Sequence, residues 1–378
     1  MAADMPPLAP QKTLLHVFST LAVGGPQIRL AQIVSHFGRR YRHLLLAMDG
    51  RHEALSLLPA EADFRLLEPG FDKGDTLGNL RRFRRLLRQQ APDLLITYNW
   101  GAIEWGLANL MKIRPHIHLE DGFGPEEAGG QISRRVWFRR LALRRTDAVV
   151  LPSRTLYAIA ADVWKLPRSR LVYLPNGIDC ARFASSAIRP LPALERLPGT
   201  VIGTVATLRK EKNIPRLLRA VADLRNRHDV SLVIGGGGPE REALEKQAEA
   251  LGISDITLFT GHCDRPERLL AGLNIFALSS DTEQMPYSVL EAMAAGLPVA
   301  ATGVGDVPHM LSPANRELVS RCDDADFTRA LETLIADPPR RKALGAENAA
   351  RAVAQFDQAA MFRGYERLYD GRFYSAAP

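Results

Sequence analysis

Long hydrophobic runs are missing from this sequence, and no apolar stretch approaches the ~20 residues a helix needs to cross a bilayer. The segment Met1 to Gln11 lacks a basic start followed by an apolar core; with Asp4 and three prolines it does not read as a signal peptide. Cysteine is scarce. Cys180, Cys263 and Cys322 lie far apart, odd in number and without metal-ligand spacing, which argues against a disulfide scaffold or a zinc cluster. They fit buried thiols in a reducing compartment, so the cytoplasm is the expected location. No Gly-x-Gly-x-x-Gly fingerprint and no Gly-Lys-Ser/Thr of a P-loop follow the glycine-rich turns, which counts against a dinucleotide oxidoreductase and a P-loop enzyme.

Charge is present but unevenly placed. The 378 residues carry a net +7; residues 1–190 hold 27 Lys and Arg against 17 Asp and Glu, and the rest hold 22 against 25. The excess gathers in two clusters, Arg81 to Arg88 and Arg134 to Arg145, where arginines alternate with Phe, Trp and Leu at helical spacing. Such a pattern suits a solvated helix face over a core, or a basic amphipathic helix lying on an anionic membrane leaflet. The leaflet would attract each basic residue near its surface by about 1 kcal/mol. Nucleic acid is not an expected partner, because no nucleic-acid module surrounds the clusters.

The length exceeds what one core normally supports, so two domains are expected. Strand-like runs at Leu14–Phe18, His43–Met48, Asp93–Thr97 and Asp147–Leu151 alternate with helical patterns at Gln27–Phe37, Leu77–Gln89 and Ser133–Arg145. A proline-rich stretch from Arg189 to Gly199 interrupts the rhythm as a linker would. It restarts with strands at Val201–Ala206, Ser231–Ile234, Ile256–Thr260, Ile275–Leu278 and Pro298–Ala301, separated by helices at Pro215–Arg227, Glu240–Leu251, Ser288–Ala295 and Phe327–Leu334. This β-α-β order predicts α/β architecture, two parallel Rossmann-like sheets wrapped by helices. The expected domains are 1–188 and 189–356, with a final helix, 357–378, docking through Met361, Tyr365, Leu368 and Tyr369. Ligands in such sheets bind beyond the carboxyl ends of the strands, so the chemistry belongs in strand-to-helix loops.

Four loops are candidates. Gly24-Gly25 precedes the first helix, where the backbone can approach an anion at the helix N-terminus, although a plain tight turn explains it equally. Arg209, Lys210 and Lys212 crowd the loop after Val201–Ala206 and suit a diphosphate. Four glycines, Gly235 to Gly238, require a close approach or positive φ. The loop from Ser279 sets Glu283 before a helix and Glu291 one turn into it. Carboxylates there can accept hydrogen bonds from vicinal sugar hydroxyls, and the amides of Gln284 and Met285 can donate.

Glu283 and Glu291 have the E-x7-E spacing of the retaining family 4 glycosyltransferases, which the chain resembles over nearly its whole length. The likeness includes Gly24-Gly25, Leu174-Pro175-Asn176-Gly177-Ile178-Asp179, Gly203 to Asn213, Gly236 to Glu240, Phe259-Thr260-Gly261, Leu290 to Val299 and Gly303 to Pro308. The resemblance implies a GT-B fold: two Rossmann-like domains facing across a cleft, with a C-terminal helix crossing back to the first. It implies a UDP- or GDP-sugar donor, with Glu291 on the ribose and Glu283 and Gln284-Met285-Pro286 on the transferred sugar. Lys212 and an arginine would neutralise the diphosphate, Gly24 and Gly25 would close on it, and Thr207 and Gly261 line the donor side. No metal or cofactor is implied.

Two positions depart from the family pattern. Thr207 stands where an arginine is usual, so Arg209 is expected to reach the phosphates. Asp121 stands where a histidine is usual, in the loop His118 to Gly124, with His118 and Glu120 as further acceptor-side residues; His118 reads equally as a core histidine. The residues expected to carry the transfer are therefore Glu283, Arg209, Lys212 and Asp121. The implied acceptor is a saccharide or lipid-linked saccharide in surface polysaccharide assembly, on the inner face of the cell membrane. The alternatives are a sugar-nucleotide epimerase or hydrolase on the same fold, and a degenerate transferase that only binds partners.

Overall fold

The computed structural model describes residues 11–378 apart from 69, 72, 73, 124, 128, 129, 185 and 186. The N-terminal segment to residue 10, and Gly124 of the loop after His118, lie outside the described residues. The chain divides into two compact units, one of Met1–Leu174 with Phe362–Pro378, the other of Pro175–Met361.

Unit 1 contains seven parallel strands: β1 (Lys12–Phe18), β2 (Tyr41–Ala47), β3 (Phe64–Leu67), β4 (Leu94–Tyr98), β5 (His116–Leu119), β6 (Ala148–Leu151) and β7 (Leu171–Tyr173), in the order β3-β2-β1-β4-β5-β6-β7. Leu14, Leu15, Leu45, Leu46, Leu95 and Ile96 are buried, as expected for strands covered by helices on both faces. Crossovers include α1 (Gly25–Phe37), α2 (Thr76–Gln90), α3 (Glu104–Ala108) and α4 (Ser133–Leu143). The sequence pattern did not announce β3, β5 and β7. β5 is half histidine and β7 only three residues long, so neither makes an apolar run.

Unit 2 holds six parallel strands: β8 (Thr200–Val205), β9 (Val230–Gly235), β10 (Thr257–Gly261), β11 (Ile275–Leu278), β12 (Val299–Thr302) and β13 (Val319–Ser320), ordered β10-β9-β8-β11-β12-β13. β13 and several short helices were unannounced, and the longest unannounced element is the 19-residue helix Pro338–Phe356, whose leading prolines sit in its first turn. Asp337 caps it, accepting from the Arg340 amide at 2.9 Å.

The last helix, Gln358–Tyr369, begins in unit 2 and passes into unit 1 at Phe362. In its unit 1 part Phe362 stacks on His36 with ring centroids 4.0 Å apart, and Tyr365, Leu368 and Tyr369 are buried. Tyr41 donates from its hydroxyl to Asp370 at 2.9 Å. The expectation of buried thiols needs correction. Only Cys180 is buried; Cys263 is half-buried and Cys322 exposed, because the latter two sit in loops rather than in the core.

In each sheet the strand order reverses once, between β1 and β4 in unit 1 and between β8 and β11 in unit 2. Loops on either side of such a switch point splay apart and leave a crevice. The four candidate loops follow β1, β8, β9 and β11.

Candidate active site

In unit 2 the loops after β8 and β11 are stitched together across the switch point. Lys212 Nζ donates to Glu283 Oε1 at 2.6 Å, and Ser280 Oγ donates to the same oxygen at 2.8 Å. The backbone adds two links: the Asp281 amide to the Glu211 carbonyl, and Ser279 Oγ to the Lys212 carbonyl. Asn213, left-handed at φ 40°, ends the short turn Lys210–Lys212 and caps the helix Ile214–Leu224 by accepting from the Arg216 amide. Buried Arg216 then donates to the Ser279 carbonyl at 2.7 Å and pairs with Asp281. Two residues expected on one ligand, Lys212 and Glu283, are thus already partners. Ser280 and Arg216 were not anticipated. Ser280 sits in the Ser279-Ser280-Asp281 run, whereas Arg216 carried no signal beyond an arginine on an otherwise apolar helix face.

Arg209 and Thr207 are exposed, and Arg209 pairs with no carboxylate among the described residues. The glycine run explains itself locally. A Cβ on Gly236 would lie 1.8 Å from the Ala206 carbonyl oxygen, and one on Gly238 2.4 Å from that of Leu208. The close approach is therefore by the chain's own backbone. Gly261 closes the same corner at φ 74°, its carbonyl accepting from the Gly236 amide at 2.7 Å.

The segment after Glu283 is held from behind. The Gln284 carbonyl accepts from the Asp306 amide at 2.8 Å. A Cβ on Gly305 would meet the Glu283 carbonyl oxygen at 2.3 Å. Met285 is buried and takes the Asn176 side-chain amide on its carbonyl at 3.1 Å, which gives the Asn176-Gly177 motif a structural role. Pro286 precedes the helix Tyr287–Ala294. Glu291, one turn in, is half-buried. Desolvation pushes its carboxyl up to about 7, opposed by the charge of Arg182 and reinforced by that of Glu267.

In unit 1, Gly24 precedes α1 with extended backbone, so conformation does not demand a glycine there. Gly25 opens the helix and Pro26 follows in its first turn. Asp121 is gripped by buried Arg29 of α1 in a two-toothed pair, with Nη2 to Oδ2 at 2.8 Å. The Asp121 amide also donates to Asn99 Oδ1 at 2.6 Å. His118 and Glu120 are fully buried. Thr97 Oγ1 lies 2.8 Å from His118 Nδ1, and Glu120 stands 3.5 Å from both His118 and Arg139. Neither side chain faces solvent: His118 lies on β5, which is buried along its whole length, and Glu120 directly follows that strand.

The second arginine cluster is also only partly superficial. Arg139 of α4 is fully buried, bound to Glu127 at 2.9 and 3.0 Å and surrounded by the rings of Trp100, Phe123 and Trp164 at 4.9, 5.2 and 4.9 Å. An inward guanidinium among aromatics is stable where a carboxylate reaches it. Arg81, Arg85 and Arg88 of α2 are exposed.

The Asp-x-Asp at Asp324-Ala325-Asp326 opens the helix Asp324–Ala336 and is absorbed by arginines, Asp324 by Arg216 and Arg219 and Asp326 by Arg321 and Arg329.

Comparison with known proteins agrees with this architecture. Residues 194–351 match the model for glycosyl transferases group 1 and residues 23–182 that for glycosyltransferase family 4. The chain is 30% identical over 310 residues to a D-inositol 3-phosphate glycosyltransferase of Corynebacterium jeikeium, covering 74% of this chain and 72% of the relative. It is 32% identical over 288 residues to the lipopolysaccharide core biosynthesis glycosyltransferase LpsE of Rhizobium meliloti, covering 76% and 78%. Among solved structures it is similar to Anabaena HepE in complex with UDP and glucose, with a TM-score of 0.80 at 17% identity over 96% of this chain and 100% of that one. Two parallel α/β units and matches of this extent place the chain in glycosyltransferase family 4, as a glycosyltransferase of GT-B fold.

Proposed function

We propose that this enzyme moves a sugar from a nucleoside diphosphate sugar to an acceptor hydroxyl with retention at the anomeric carbon. The observation that carries the reading is the arrangement at the unit 2 switch point: a Lys212–Glu283 pair on two loops, with Glu291 on the following helix. In this reading the ionised Glu291 accepts from the two ribose hydroxyls, and Glu283 with the Gln284-Met285-Pro286 segment holds the transferred sugar. Lys212 and Arg209 take up the charge that grows on the departing diphosphate, the largest electrostatic demand of the reaction. Ser280 fixes the Glu283 carboxylate while Lys212 is drawn to phosphate. Thr207 and Gly261 shape the donor side, and Gly24 and Gly25 leave room for its approach. Asp121, oriented by Arg29, stands on the acceptor side.

The acceptor is a saccharide or lipid-linked saccharide. No helix among the described residues is long and apolar enough to cross a membrane, so contact with an anionic leaflet would run through exposed basic side chains of α2 and the end of α4. A thermal-shift screen over UDP- and GDP-sugars tests the donor assignment, since a ligand at 100 times its Kd stabilises by about 2.7 kcal/mol. One nucleotide class is expected to raise the melting temperature of wild type and to fail with Glu291→Ala and Lys212→Ala. Equal shifts in all three proteins would remove the proposal.

A further inference from the structure

Beyond the donor site, unit 1 holds a cavity of about 310 Å³ lined by Trp100, Gly101, Ile103, Glu104, Arg134 and Phe138. It is built where β4 ends. Asn99, at φ 57°, turns the chain out of the strand and holds the Asp121 amide, and Trp100 follows it directly into the cavity wall. The cavity is therefore one residue from the group that positions Asp121. Its apolar wall is Ile103 with the rings of Trp100 and Phe138, which meet edge to face at 5.5 Å.

The charges in it are selective. α4 carries four arginines, and three are committed. Arg135 pairs with Glu126 and Glu127, Arg139 with Glu127, and Arg140 donates to the carbonyls of Val163 and Trp164. Arg134, exposed at the cavity rim, has no carboxylate partner among the described residues. Glu104 across the cavity is half-buried and likewise without an ion-pair partner among the described residues. Burial alone pushes its carboxyl upward. An unpaired cation, an unpaired carboxyl and an aromatic wall together match a molecule that brings an anion, a hydroxyl and hydrocarbon. Trp137 of α4 and Ile132, the residue that precedes that helix, are exposed apolar side chains of the same segment.

We infer that this cavity is the acceptor subsite for a phosphate-bearing lipid: Arg134 takes the phosphate, Glu104 a headgroup hydroxyl, and Trp100, Ile103 and Phe138 the first stretch of hydrocarbon. The inference rests on the glycosyl-transfer reading for the word acceptor, and its binding claim is separable from that reading.

Titration calorimetry on the full chain tests it with n-octyl phosphate, n-octyl glucoside and inorganic phosphate as probes. Octyl phosphate is expected to bind once per chain and at least tenfold more tightly than inorganic phosphate. Arg134→Ala should weaken it about tenfold, the scale of one charge-assisted hydrogen bond. Phe138→Ala should weaken both octyl compounds and leave the inorganic phosphate signal unchanged. Glu104→Gln should weaken octyl glucoside while sparing octyl phosphate. Arg134 is exposed, so its variant folds, and an unchanged nucleotide-sugar affinity in the same sample confirms that unit 2 is intact. Octyl phosphate binding that is absent, or equal in wild type and Arg134→Ala, overturns the cavity assignment. Absence of any nucleotide-sugar binding in wild type, with octyl phosphate still weakened in Arg134→Ala, sinks the transfer reading and leaves the lipid-phosphate site standing.

Discussion

Glu291 meets its surroundings in an unusual protonation state. Its carboxyl is pushed up to about 7 because burial disfavours the anion, and the ionised form offers both oxygens as charged acceptors to the two hydroxyls of a ribose. Affinity for a nucleotide sugar, whose own phosphates do not titrate here, should fall about tenfold per pH unit below 7 and level off above it. Glu291→Gln should bind more weakly and lose that slope; a parallel slope in both proteins would place the titration elsewhere. Stability runs the opposite way. The folded-state value is raised, so the contribution is complete below about 4.5 and is lost as pH climbs through 7. At this scale the Glu283–Glu291 relation was legible in the sequence because it is local, a turn and one helical turn. Arg29 and Asp121 were not, since 92 residues separate them and neither type announces its partner.

Among the elements, α4 departs most from its sequence pattern. Arginines interleaved with Trp, Phe and Leu read as a solvated helix face over a core or a basic amphipathic helix on a membrane, but which arginine turns inward depends on Glu127 and on Trp164, a separate helix end. Arg139→Met would keep much of the packing and leave Glu127 buried with less charge to answer it. Burial pushes that carboxyl up, and Arg139 and Arg135 more than reverse the effect in the present structure. Chemical denaturation should show a loss of about 3 kcal/mol or more for Arg139→Met, against a change within about 0.5 kcal/mol for exposed Arg134→Ala. Equal stabilities would mean that the aromatic cage needs no cation. The helix Pro338–Phe356 was missed for a different reason. Pro338-Pro339 reads as a break, yet both residues fall in the first turn, where a missing amide costs little.

On the scale of the whole molecule, the α/β rhythm made two Rossmann-like sheets legible, because strands buried on both faces spell out apolar runs that survive any detail of packing. The charge asymmetry survives as well, since the exposed basic residues of α2 and the end of α4 belong to unit 1. Vesicles containing phosphatidylglycerol should retain the protein at low salt and release it severalfold at high salt, whereas phosphatidylcholine vesicles should not retain it; Arg81→Glu with Arg85→Glu should reduce retention further. Indifference to lipid charge would confine the basic faces to solubility.

The final helix enters unit 2 and leaves it for unit 1, so unit 2 is one continuous segment while unit 1 is made of two pieces far apart in sequence. During synthesis the order of completion is then reversed relative to the order of appearance. The first sheet emerges early but waits for Phe362, Leu368 and Tyr369 to fill its core, and the second can close before it. A chain ending at Met361 would hold all of unit 2 and a unit 1 still missing part of its interior.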